Sequence, residues 1–237
     1  FWLKLGQVWL HPSMFCCSAP ATAPDEDLVK AMVIEFTYFK GVAARGEPVR
    51  IALHASGVEW KDTSLSFDDF KAATAAGKYG AGLPAMKLSS GLEVGQSVAM
   101  ARFAAKLGKS GLYPSDPEEA LLVDCVMDTA QDALTKCPQD PDNEVKKKKR
   151  EEYAEGKLKA YMSGIAEIVE AKGGPFILGK QMSVADLVLC YFLTDMIKSG
   201  NFDYVAPEYI DQWPKLAAHG QAVADSEIVK AYKASVA

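Results

Sequence analysis

The chain has 237 residues, 49% of them hydrophobic, and a formal net charge of −5 from 26 Lys plus Arg against 31 Asp plus Glu. That length allows one large domain or two small ones at roughly 100–200 residues each, and the acidic balance argues against nucleic acid or an anionic membrane as the main partner. No apolar run reaches the ~20 residues that span a bilayer; five cysteines without a C-x-x-C and three scattered histidines provide neither a dithiol nor a zinc site, and such sparse cysteines fit a reducing compartment.

Residues 1–31 read differently from the rest. Phe1 to Pro20 is apolar and aromatic, and Ala19 to Pro24 is an Ala/Pro/Thr stretch. Two readings stand: a targeting remnant with a small-x-small cleavage site, or an expression scar or translated upstream sequence with Met32 as the natural start. Either way the segment is set apart from a 206-residue body (237 − 31).

Val33 to Tyr38 alternates β-branched and aromatic residues, predicting a strand with Ile34, Phe36 and Tyr38 on one face. Glu47-Pro48 opens a helix that Gly57 stops. A second strand is expected over Val58–Leu65, a short helix over Asp68–Ala76, a third strand over Leu83–Leu88 and a fourth over Leu92–Val94. Gln96 to Leu107 reads as a helix closed by Gly108. This β-α-β-α-β-β-α order over residues 32–108 is a small α/β domain. Residues 109–117 read as a linker, and strand signals then vanish. Residues 118–237 read as all-helical: Glu118–Lys136 with Leu121, Leu122, Cys125, Val126 and Ala133 as its apolar positions, Glu144–Lys172, Ser183–Ile197, and short helices near Pro207–Ala224 and Ser226–Ala234. Ser183-x-x-Asp186 reads as a capping box, a folding device. The basic run Lys146–Arg150 reads as a solvated helix face paired with Glu151, Glu152 and Glu155.

Four features now coincide in order: Tyr38 ending the first strand, Leu83-Pro84 opening the third, Gln96-Ser97 starting the third helix, and Ser183-x-x-Asp186 capping an apolar helix. This set resembles the cytosolic glutathione S-transferases, a thioredoxin-like domain followed by a helical domain. The runs Thr37-Tyr38-Phe39 with Arg45 to Arg50, Gly95 to Phe103, and Val123 to Thr129 resemble the sigma class most. The resemblance covers Met32 to the C-terminus.

The chemistry it implies fits these residues. Glutathione attacks as a thiolate, yet a free thiol with pKa ~8.5 is only a few per cent ionised at neutral pH. A hydroxyl aimed at the sulfur stabilises the anion, and lowering the pKa by ~2 units is worth about 2.7 kcal/mol. Tyr38 holds that position at the carboxyl end of a strand, and Val33 to Ala55 contains neither Cys nor Ser to compete. The resemblance further implies a cis Leu83-Pro84 turn whose exposed Leu83 backbone pairs with the cysteinyl unit. It also implies a Gln96-Ser97 helix start for the γ-glutamyl carboxylate, and an aromatic plus a lysine for the glycyl carboxylate. Here those are Phe70, where a tryptophan is usual, with Lys71 or Lys78. Arg45 joins the set. Asp132 stands where such enzymes meet the γ-glutamyl amine of glutathione in the other subunit, implying a homodimer. The loop Lys40–Ala44 is one residue longer than usual and Gly82 replaces a polar residue, which points to modest glutathione affinity.

The electrophile is expected between the domains, near Val42 and the Asp132–Cys137 helix end. The expected activity is conjugation of glutathione, a co-substrate, to a hydrophobic electrophile in the cytoplasm or a targeted organelle, with no metal. Two alternatives stand beside it: a non-catalytic structural or assembly protein of the same fold, and a glutathione-dependent isomerase or peroxidase.

Overall fold

The computed structural model describes residues 33–80 and 82–236. The segment 1–31, read above as a scar or targeting remnant, lies outside the described residues. Four strands form one mixed sheet in the order β2-β1-β3-β4: β1 (Ile34–Phe39), β2 (Trp60–Leu65), β3 (Ala85–Leu88) and β4 (Glu93–Val94). β2 runs parallel to β1, and β3 is antiparallel to both β1 and β4. β1 starts and ends one residue later than the pattern predicts, but side chains alternate across a sheet, so Ile34, Phe36 and Tyr38 still share the buried face. They pack into one core with Val49, Ile51 and Leu53 of α1 (Glu47–Ser56) and Met100, Ala101 and Ala104 of α3 (Ser97–Ala105). Between them runs α2 (Phe67–Ala75), held at its start by a reciprocal Ser66–Asp69 capping box. Gly57, at φ 70, ends α1 in the left-handed conformation expected of a helix-stopping glycine.

The segment after α3 is docked rather than loose. Leu112 is fully buried, its carbonyl accepts the Val184 N–H at 2.8 Å, and the Tyr113 hydroxyl donates to Asp124 at 3.0 Å. Gly108 lies so close to α1 that a Cβ there would sit 2.0 Å from the Ser56 carbonyl oxygen.

The helical half comprises α4 (Pro117–Thr135), α5 (Asn143–Tyr153), α6 (Lys159–Lys172), α7 (Val184–Leu189), α8 (Asp195–Lys198), α9 (Pro214–Asp225) and α10 (Glu227–Val236). α5 and α6 form the long helix expected from the sequence, joined by a π-helical turn over Ala154–Leu158; a second such turn, Cys190–Thr194, joins α7 to α8. The Tyr209 hydroxyl donates to the Ala154 carbonyl, at the start of the first of them. On α4 the buried residues are Val123, Val126, Met127, Ala130 and Ala133. Of the apolar positions read from the sequence, Val126 and Ala133 are buried, while Leu121 is 64% exposed and Cys125 is exposed.

The basic run is structural, but its partners are not the neighbouring glutamates. Lys146 pairs with Asp203 at 3.0 Å and Lys149 with Asp140 at 2.7 Å. Arg150 is buried and donates to the carbonyls of Pro138 and Asp203. Tertiary partners capture these cations because α5 lies against the 138–140 and 203 loops. Among the described residues no helix is long and apolar enough to cross a membrane, and no cluster of three or more His, Cys, Asp or Glu could hold a metal.

The Ser183–Asp186 box is deeper than its sequence suggests. Asp186 is fully buried and accepts the Ser183 N–H and hydroxyl at 2.7 and 2.8 Å on one oxygen. The other oxygen takes the Ile177 N–H at 2.8 Å and pairs with His219 Nε2 at 3.0 Å. His219, on α9 and fully buried, is the partner that no local spacing reveals.

Candidate functional site

Tyr38 is 5% exposed and lies where β1 meets the start of α1. Gly46 makes that possible: a Cβ on it would lie 2.3 Å from Tyr38 Cδ1, so the ring packs directly on backbone. Arg50, itself buried, places Cζ 5.6 Å from the ring centroid. Arg50 is in turn fixed by Asp62 at 3.0 Å and by the Val42 carbonyl at 3.2 Å. Burial pushes the Tyr38 hydroxyl above its usual pKa; the Arg45 main-chain N–H and the Arg45 and Arg50 charges offset part of that. At neutral pH it is therefore a protonated, preoriented donor.

Arg45, after the longer 40–44 loop, reaches across to the helical half. Its Nη1 donates to Gln131 Oε1 of α4 at 2.6 Å, and its Cζ lies 5.4 Å from the ring centroid of Phe192, in the second π-helical turn. Desolvation holds its pKa below that of a free arginine, but a guanidinium remains charged at any working pH. One cation thus spans both halves of the molecule beside Tyr38, in the region expected for the electrophile. Val42 borders it, partly buried against the core.

The Leu83-Pro84 peptide is cis, as the resemblance implies. Pro84 is buried and Leu83 packs against the core. Gln96 is exposed and adopts φ 73, ψ 94, a left-handed conformation rare for a residue with a Cβ. Ser97 begins α3, with no side-chain cap on its first turn. The Ser97 hydroxyl is buried without a partner, an orphan of a kind that folded proteins rarely leave unexplained. An uncapped helix start with a spare hydroxyl suits an anion.

The remaining expected residues lie farther out. Phe70 packs edge-on to Phe39 at 5.2 Å, and Phe39 touches Tyr38 edge-on at 5.4 Å, so an aromatic chain links α2 to the strand end. Lys71 is exposed on α2. Lys78 lines a polar cleft with Thr37, Tyr79, Gly82 and Gly95. That cleft opens on the Thr37 face of the sheet, opposite the Tyr38 ring. Asp132 is half-exposed on α4 and ion-paired with Lys136. The sequence reading missed Gly46 and Arg50 as ring supports, and Gln131 and Phe192 as partners of Arg45. The Glu47-x-x-Arg50 spacing carries a local signal for Arg50, which pairs with Glu47 at i and i+3 on one helix face; Gly46, Gln131 and Phe192 have none.

Comparison with known proteins agrees with this geometry. Residues 127–236 match the family model "Glutathione S-transferase, C-terminal domain". A glutathione S-transferase of Anopheles gambiae is 30% identical over 202 residues, covering 82% of this chain and 93% of the relative. The structure of a Fasciola hepatica sigma class transferase superposes with a TM-score of 0.69 at 21% identity, covering 87% of this chain and 97% of the other. A monomeric glutathione S-transferase of Necator americanus superposes at 0.65 and 23% identity, with 85% and 96% covered. The thioredoxin-like sheet, the cis-proline turn and the helical half define a transferase fold of this kind. The chain belongs to the glutathione S-transferase family.

Proposed function

We propose that this protein conjugates glutathione to hydrophobic electrophiles, with Tyr38 holding the substrate sulfur as a thiolate. The observation that carries the reading is Tyr38 itself: a buried ring packed on Gly46 and against the Arg50 guanidinium, its hydroxyl protonated at neutral pH. The thiol proton leaves to water, Tyr38 donates to S⁻, and the sulfur forms a C–S bond as the leaving group departs with its electron pair. Tyr38 stays protonated throughout.

In this reading the Leu83 backbone beside the cis bond pairs with the cysteinyl unit, and the γ-glutamyl carboxylate meets the α3 start at Gln96 and Ser97. A turn about χ1 brings the Ser97 hydroxyl to it. Phe70 with Lys71 or Lys78 receives the glycyl end. Asp132 serves the γ-glutamyl amine across a two-fold dimer, for which the exposed Leu121 and Cys125 face of α4 offers a surface. The sigma class is the subclass the Tyr38–Arg50 run favours, and the domain limits are 32–108 and 118–237 around a docked segment 109–117.

Retention on immobilised glutathione and turnover of a generic aryl halide test the reading. Wild type is expected to bind and conjugate, and Tyr38→Phe to lose about 10²-fold in kcat/KM, the scale of removing one preorganised donor to a developing anion. Wild type that neither binds nor conjugates would return the chain to the non-catalytic alternative.

A further inference from the structure

We infer that Gln131 and Phe192 are positioning residues that set the acidity of the bound glutathione thiol by fixing where the Arg45 charge stands. The inference rests on the thiolate reading above. It goes beyond it, because neither residue touches Tyr38 or belongs to the glutathione-binding set.

The geometry is specific. Arg45 closes the loop between β1 and α1, and nothing in that loop restrains a long side chain. Two groups from the other half of the molecule do so instead. Gln131 Oε1 accepts from Nη1 at 2.6 Å, a short charge-assisted bond, and the Phe192 ring lies 5.4 Å from Cζ, within the range of a cation–π contact. Gln131 stands four residues before Thr135, near the carboxyl end of α4, and Phe192 is 1% exposed in the π-helical turn. Such turns recur at functional sites because the extra residue re-aims side chains. A neutral amide is the informative choice. A carboxylate at position 131 would neutralise the cation, whereas Gln holds it and leaves its field intact. Arg50, bound by Asp62 and Glu47, faces Tyr38 from α1. It keeps those partners in every variant below, so changes at position 131 act through Arg45.

Three variants read this out: Gln131→Leu, which removes the acceptor, Gln131→Asn, which shortens it, and Gln131→Glu, which keeps the grip but cancels the charge. The thiolate absorbance of enzyme-bound glutathione is titrated, and kcat/KM is measured against pH. Gln131→Leu and Gln131→Glu are each expected to raise the thiol pKa by about half a unit to one unit, a roughly 3–10-fold loss of kcat/KM on the acidic limb that recovers at high pH. Gln131→Asn falls between them and wild type, with the KM for glutathione within twofold throughout. Phe192→Leu shifts the same limb in the same direction; since Phe192 is buried, only a variant with a wild-type melting profile is scored, and the Gln131 series stands without it. An unchanged thiol pKa in Gln131→Leu, or a loss of equal size at every pH, overturns the inference. If wild type shows no depressed thiol pKa, the parent reading fails instead.

Discussion

Two helices flank the same strand end and are built differently. α1 buries Pro48, Val49, Arg50, Ile51, Ala52, Leu53 and Ser56, while α2 buries none of its residues and leaves Phe67 67% exposed. α1 lies between the sheet and the helical half, so packing from both sides fixes Gly46, Tyr38 and Arg50. α2 lies on the outer face, held by the Ser66–Asp69 box and by the Phe39 ring, which stacks on Phe67 at 4.5 Å. The thiol end of the proposed glutathione site is therefore preorganised by the core. The glycyl end rests on a surface helix with room to adjust. Substitutions beneath the thiol end are expected to change turnover, and those at the glycyl end to change affinity alone.

The sharpest way to break the contrast is Gly46→Ala. Its Cβ would overlap the Tyr38 ring, and a displacement of about 1 Å at a reacting group can cost 10²-fold. A loss of that size in kcat/KM, with the helical half still folded by circular dichroism, is expected. Activity near wild type would mean that the ring has slack. Next in size is Asp186→Asn, which turns an amide N–H₂ toward buried donors. It is expected to cost about 2–4 kcal/mol, read as a lower Tm in calorimetry, without altering the thiol pKa of bound glutathione.

Alkali probes the helical half as a whole. Burial pushes Tyr209 up to about 12, and burial raises Tyr153 further. Both phenols thus ionise more easily in the unfolded chain, near their ordinary 10. Their contribution to stability is complete below pH 10 and is lost as pH rises, for Tyr209 through about 12 and for Tyr153 beyond it. Tm should fall across that window, and Tyr209→Phe should flatten the fall. The smallest effect belongs to the glycyl end. Lys71→Ala and Lys78→Ala are compared in parallel: one of the two is expected to raise the KM for glutathione about 2–5-fold, as an exposed charge contact allows, with kcat within twofold in both, and steady-state kinetics decides.

Much of the fold was legible because its signals are local. Strand alternation, Gly57, the Pro48 helix start and the Ser183 cap each act within one turn or one pleat, and the ordered motifs pointed to the cis Leu83-Pro84 bond; the Ser66 cap, equally local, was not read. What escaped depends on long-range packing. His219 reaches Asp186 across 33 residues and Arg45 reaches Gln131 across 86, and no periodicity announces such pairs. Which apolar positions of α4 face the core was not legible either: Leu121 is exposed, while Val123, Val126, Met127, Ala130 and Ala133 are buried, a choice made by the helices packed against it. The run at 146–150, read as a solvated helix face paired with nearby glutamates, is exposed at Lys147 to Lys149 but buries Arg150, and its partners come from loops rather than from helix neighbours.

The central claim is that the buried Tyr38 hydroxyl ionises the substrate thiol, and an ultraviolet titration of glutathione bound to wild type and to Tyr38→Phe tests it most directly. The account predicts a thiol pKa about 2 units below the free value of ~8.5 in wild type and a return to near that value in the variant. An equally depressed pKa in both proteins would contradict it.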